Sequence, residues 1–110
     1  MSRRRYSVVW TEVALLDVER LAAYLVDEAP SRADDILERI IGRGESLEIA
    51  PGRGRTPPEL RFINDRNWRE VQESPWRILY RISGRTVEIH AVLDGRRSLE
   101  DILMERLLRA

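Results

Sequence analysis

Two runs rich in β-branched and aromatic residues, 76–83 and 86–93, are joined by the short turn Ser83-Gly84-Arg85. No other feature constrains the fold as much. Runs of this length around a glycine turn read as an antiparallel hairpin. Side chains along a strand alternate between its faces. On the first run Trp76, Ile78, Tyr80 and Ile82 share one face, and Arg77, Leu79, Arg81 and Ser83 share the other. On the second, Val87, Ile89, Ala91 and Leu93 are expected on one face, and Glu88, His90, Val92 and Asp94 on the opposite one. The apolar sets are expected to meet helices. The remaining face is expected to be half open and to carry Arg77, Arg81, Glu88 and His90. A solvated sheet face needs no function to explain its charges, but this one gathers the chain's single histidine with arginine and glutamate.

The rest of the chain supplies the helices. Residues 6–10 read as a short strand with Tyr6, Val8 and Trp10 on one face. Thr11 suits an N-cap, and Ala14, Val18, Leu21, Ala22 and Leu25 then recur at helical spacing to about Glu28. Pro30-Ser31 breaks this helix, and Ser31 with Asp34 resembles a weak capping box for the next. Its stripe is Ala33, Ile36, Leu37, Ile40, Ile41 and Leu47. Residues 50–60 hold Pro51, Gly52, Gly54, Pro57 and Pro58, so they form a loop, and 64–67 form a second irregular stretch. A further strand is expected over 68–73. After Asp94-Gly95, Ser98 is expected to cap a last helix lined by Leu99, Ile102, Leu103, Leu107 and Leu108.

This order, β-α-α-β-β-β-α, predicts an α+β fold with a helical hairpin on one face of a small antiparallel sheet. The chain length of 110 residues fits one domain. Cysteine is absent, which excludes disulfides and thiolate metal sites and is compatible with a cytoplasmic setting. No apolar run is long enough to span a membrane. The formal net charge of zero argues against a generic nucleic-acid binder. All 19 basic side chains are arginine, so no lysine is present to act as a general base. No cofactor or metal motif is recognisable.

Several segments together resemble the RelE/ParE superfamily of type II toxin–antitoxin toxins. They are Trp68-Arg69-Glu70-Val71, then the strand Trp76-Arg77-Ile78-Leu79-Tyr80-Arg81-Ile82, then Val87-Glu88-Ile89-His90-Ala91-Val92, and the ending Asp94-Gly95-Arg96-Arg97. The Gly52-Arg53 loop with Pro58-Glu59-Leu60 is similar to the family's linker into its sheet. The resemblance covers nearly the whole chain and rests on order and spacing, since each motif is short. It implies a toxin neutralised by a cognate antitoxin that usually carries a DNA-binding domain, so that operator DNA is reached only through the antitoxin. It also implies one of two targets. RelE-like members cut messenger RNA on the ribosome, whereas ParE-like members inhibit DNA gyrase, and fold alone does not choose between them.

Cutting RNA through its 2′-hydroxyl requires a base, cations for the developing charge and an acid for the leaving oxygen. By the resemblance, Arg77 and Arg97 match family arginines and suit a phosphate. The family's lysines fall near Trp68 and Glu70, and its C-terminal tyrosine falls near Leu103. Asp94 stands where many relatives carry histidine. His90 or Glu70 would have to serve as base, with Glu88 tuning His90. These absences favour ParE-like inhibition of gyrase over the ribonuclease, with a non-toxic binding module as a further alternative. Arg77, Arg81, Arg96 and Arg97 are the expected target-binding groups. Leu103, Leu107 and Leu108 suit either antitoxin contact or core packing.

Overall fold

The computed structural model describes residues 5–97 together with 100 and 101. The elements are β1 (Ser7–Trp10), α1 (Glu12–Glu28), α2 (Ala33–Glu45), β2 (Trp68–Glu73), β3 (Trp76–Ser83) and β4 (Thr86–Asp94). Single 3₁₀ turns at Ser46–Glu48, Pro51–Arg53 and Pro58–Leu60 punctuate the connection between α2 and β2. The sheet runs in the order β1-β4-β3-β2. Strands β2, β3 and β4 form the expected antiparallel meander, while β1 joins β4 in parallel, so the sheet is mixed. The α+β architecture, with both helices on one face, is as the sequence predicts.

Local chemistry explains the elements. The Thr11 hydroxyl accepts from the Ala14 amide at 3.2 Å and caps α1 one residue before its first turn. Ser31, in contrast, does not cap α2. That helix starts at Ala33 with Arg32 in the cap position and no side-chain cap, and Asp34 and Asp35 place negative charge in its first turn. Gly84 has φ of 60° and is the first central residue of a two-residue turn between Ser83 and Thr86, the glycine-first pattern of the hairpin turn with matching twist.

The main core lies between helices and sheet. Ala14 and Leu25 of α1, Ala33, Ile36 and Ile40 of α2, and Leu47 pack against Val71, Ile78, Tyr80, Val87, Ile89 and Val92. The face assignments for β3 hold. Those for β4 hold only to Ile89, because the register shifts between Leu79 and Tyr80. Leu79 pairs with Ala91 and Tyr80 with Ile89, which leaves His90 as the extra residue of a β-bulge. A bulge resets the alternation. Val92 and Asp94 therefore turn to the helix side, and Ala91 and Leu93 turn to the other face, reversing the expectation for these four.

That other face is not open along its length. Leu79, Ala91 and Leu93 form a second cluster with Leu60 and Trp68. The connection from α2 folds across this face and also closes the β2 edge, where Arg55 and Glu70 exchange backbone hydrogen bonds at 3.0 and 2.8 Å. Edge coverage of this kind prevents unwanted strand pairing. No helix among the described residues is long and apolar enough to cross a membrane.

Candidate functional site

On the loop-covered face, Arg77 sits at the centre of an ion-pair network. Its residue is 8% exposed, and Glu70 beside it is 1% exposed. The Arg77 Nε donates to Glu70 Oε1 at 2.5 Å and Nη2 to Glu70 Oε2 at 3.1 Å. Its outer edge holds Glu59 in a bidentate pair, with both N–O distances 2.8 Å. Arg55 donates to Glu70 from the solvent side at 3.0 Å. Two carboxylates thus match two guanidinium groups, and a buried charge pair of this geometry satisfies its own hydrogen-bonding needs. The Arg77 hydrogen bonds, chiefly, hold the Glu59 carboxyl down at about 2 against an ordinary 4.5. Glu59 and then Glu70 raise the Arg77 guanidinium well above its ordinary range.

The remaining expected site residues share this face or its end. Arg81 pairs with Asp65 at 3.2 Å. His90 lies 3.3 Å from Glu88 and stacks at a tilt on Trp68, with ring centroids 4.9 Å apart. The Glu88 contact is the one that strand alternation predicts, and Trp68 comes to His90 from the far strand of the same face. Arg96 is clamped to Asp94, with its Nε and Nη2 donating at 2.9 and 2.7 Å. The structure brings Arg77 and Glu70 into contact and keeps His90 and Arg81 in separate pairs. Leu103, Leu107, Leu108 and the Ser98 cap lie outside the described residues, while Glu100 and Asp101 have helical backbone.

Arg96 and Arg97 stand at the rim of a different feature, a cleft of about 640 Å³ between α1 and the ends of β3 and β4. Leu21, Leu25, Trp76 and Val92 supply its apolar lining, and Tyr24, Arg20, Glu28 and Asp94 border it. Strand β1 stops at Trp10, where the Thr11 amide reaches Ile89 O at 3.0 Å, and β4 continues beyond it. On that stretch the Val92 amide donates to the Asp17 carboxylate of α1 at 3.0 Å. A side chain thus stands where a neighbouring strand would otherwise bond.

Sequence reasoning missed Glu59 and Asp17. Glu59 lies in the linker into the sheet, and no local pattern marks it as the partner of a residue 18 positions away. Asp17 lies off the apolar stripe of α1, and its reach to β4 depends on helix–sheet packing that no local pattern shows. A weak signal for Glu59 did exist. Pro57-Pro58 stiffens the chain directly before it, and a stiff loop is a good carrier for a fixed charge.

Chemically, this arrangement offers a neutralised, hydrogen-bonded arginine on one face and an apolar cleft with a charged rim at one end. The sequence profile of the family described as ParE toxin of type II toxin-antitoxin system, parDE, matches residues 8–99. A solved structure of the chromosomal ParDE TA system from P. aeruginosa superposes with a TM-score of 0.64 at 18% identity. That match covers 81% of this chain and 95% of that one. The toxin–antitoxin complex RelBE2 from Mycobacterium tuberculosis superposes with a TM-score of 0.57 at 26% identity, covering 80% of this chain and 95% of that one. No curated protein sequence matches the chain significantly. The profile match spans most of the chain and agrees with the fold and with the residues that suggested it, so the chain belongs to the ParE toxin family of type II toxin–antitoxin systems.

Proposed function

We propose that this toxin arrests growth by binding and inhibiting DNA gyrase in the cytoplasm, and that a cognate antitoxin silences it. The observation that carries this reading is the state of the two side chains best placed for RNA cleavage. Arg77 gives its donors to Glu59 and Glu70, and Glu70 in turn holds Arg77 and Arg55. A phosphate clamp needs a guanidinium that is available to the phosphate, and a general base needs access to the proton it removes. An arginine whose charge is already matched by two carboxylates favours a structural role. Action by binding leaves the arginines nearer the surface, Arg81, Arg96 and Arg97, as groups toward the target.

The antitoxin reading is supported by the cleft beside α1. Its apolar lining and mixed-charge rim suit an amphipathic helix or an extended segment of a partner chain. Leu103, Leu107 and Leu108 remain candidates for the same contact. An antitoxin with its own DNA-binding domain would bring the pair to operator DNA, with this chain attached only indirectly.

Purified protein titrated against gyrase in a supercoiling assay tests the target. Supercoiling falls as the toxin is added and recovers when the antitoxin is supplied. Unchanged supercoiling at toxin excess rules the reading out. Ribosome-dependent cleavage of messenger RNA is the second reading. It draws on the likeness to the RelBE2 complex and on His90, whose side chain is one-third exposed beside Glu88.

A further inference from the structure

Residues 61–66 join the last 3₁₀ turn to β2 and carry the most exposed large apolar side chain among the described residues, Phe62 at 84%. A lone exposed aromatic on a disordered tail would mean little, but this segment is held at both ends. Before it, Leu60 packs on Leu79, Ala91 and Leu93, and the Ile63 amide donates to Leu60 O at 3.0 Å. After it, the Asp65 amide donates to Ile63 O at 2.8 Å, while the Asp65 carboxylate accepts from the Asn67 amide at 2.9 Å and from Arg81 at 3.2 Å. The ring is therefore presented by a braced loop, and its ordering cost is already met by folding.

Charge around the ring adds the second observation. Arg43, Arg55, Arg81 and Arg96 each hold a carboxylate. Arg61 and Arg66, on either side of Phe62, are exposed and have no side-chain partner among the described residues. The one acid in the segment, Asp65, is paired with Arg81, which leaves the exposed Arg61 and Arg66 as the uncompensated charges of the loop that carries the ring. Ile63, also exposed, widens the apolar tip.

We propose that this loop, with Phe62 as anchor and Arg61 and Arg66 as flanking charges, is the contact of the toxin with its protein target. The partner it fits is a protein surface with an apolar pocket rimmed by carboxylates. Aromatic and arginine side chains dominate the energetic centres of protein interfaces, and complementary charge around them speeds association. Single-stranded nucleic acid would also stack on an aromatic ring, but such binding follows a basic groove with successive aromatics. Here one ring and two charges stand on a chain whose net charge is zero. The inference rests on the reading of this chain as a binding toxin, and it centres that binding on the loop 61–66, away from the cleft beside α1 and from Arg96 and Arg97 at its rim.

The test compares the full-length toxin with Phe62→Ala and with the double charge reversal Arg61→Glu/Arg66→Glu. Each is assayed for growth arrest without antitoxin, for gyrase inhibition, for antitoxin binding and for thermal unfolding. Phe62→Ala is expected to weaken growth arrest at least tenfold while leaving antitoxin affinity and Tm unchanged. The charge reversal is expected to weaken arrest further and to make the residual effect less sensitive to salt. Growth arrest that persists in Phe62→Ala overturns the proposal. Loss of antitoxin affinity in either variant also overturns it, because the loop would then belong to that interface. Binding of a single-stranded oligonucleotide by the toxin, lost in Phe62→Ala, overturns the choice of a protein partner. A toxin inert toward gyrase but still dependent on Phe62 for growth arrest refutes gyrase as target and leaves the loop assignment standing.

Discussion

Arg77 illustrates how one side chain's surroundings decide its chemistry. Alternation along β3 places it on the face away from the helices, and a family resemblance marks it as a phosphate ligand. Neither reveals Glu59, which arrives from a loop, or the depth to which Glu70 is buried. Removal of Glu70 leaves a nearly buried guanidinium with only its outer partner. Glu70→Ala is therefore expected to lower unfolding free energy by about 3 kcal/mol, measurable by urea denaturation. Glu59 makes the network sensitive to acid. Its folded pKa, about 2, lies below its ordinary 4.5, so the unfolded chain binds this proton more readily. The stabilisation from this pair is complete above about pH 4.5 and is lost as pH falls toward 2. Denaturation midpoints across this window should fall in the native protein and fall less steeply in Glu59→Gln.

Most element boundaries are legible because their signals are local, the start of α2 after Ser31 excepted. Thr11 caps α1, Gly84 makes the hairpin turn, and a 3.6-residue period marks both helices. The bulge at His90 was not legible, because a one-residue insertion against β3 changes no local pattern and depends on which side chains fill the core. Strict alternation consequently put Ala91 and Leu93 on the wrong face and Val92 on the other. The loop before β2 was recognised as a loop, but its docking was not. Two contacts hold it near the core: the Tyr80 hydroxyl donates to Pro51 O and accepts from the Gly54 amide at 3.1 Å. A Cβ on Gly54 would stand 2.3 Å from that hydroxyl, so only glycine permits this approach. Tyr80→Phe leaves both loop groups without their partner and is expected to cost about 1–3 kcal/mol. Hydrogen exchange at the Gly54 amide should accelerate in that variant. Gly84→Ala, forced into a left-handed conformation, is expected to cost about 1 kcal/mol in a thermal unfolding measurement.

At the scale of the whole molecule, two surfaces are proposed to serve two partners. The helices and sheet bury the main core between them, and the cleft beside α1 is where an antitoxin segment is proposed to sit. Tyr24, half exposed at its border, offers a test that spares the core. Tyr24→Asp is expected to weaken antitoxin binding at least tenfold in a calorimetric titration, with little change in toxicity. The loop-covered face is proposed to act by contact, since its central arginine is matched by carboxylates and its histidine is stacked on Trp68. The α+β plan and the family were therefore within reach of the sequence, whereas the site depended on long-range pairs that no short motif encodes. This toxin is proposed to bind its target and not to cut RNA. Primer extension through translated messages, after induction of the toxin without its antitoxin, tests it directly. Intact messages during full growth arrest are the predicted result. New cleavage products that disappear in Arg77→Ala or Arg97→Ala would contradict the claim.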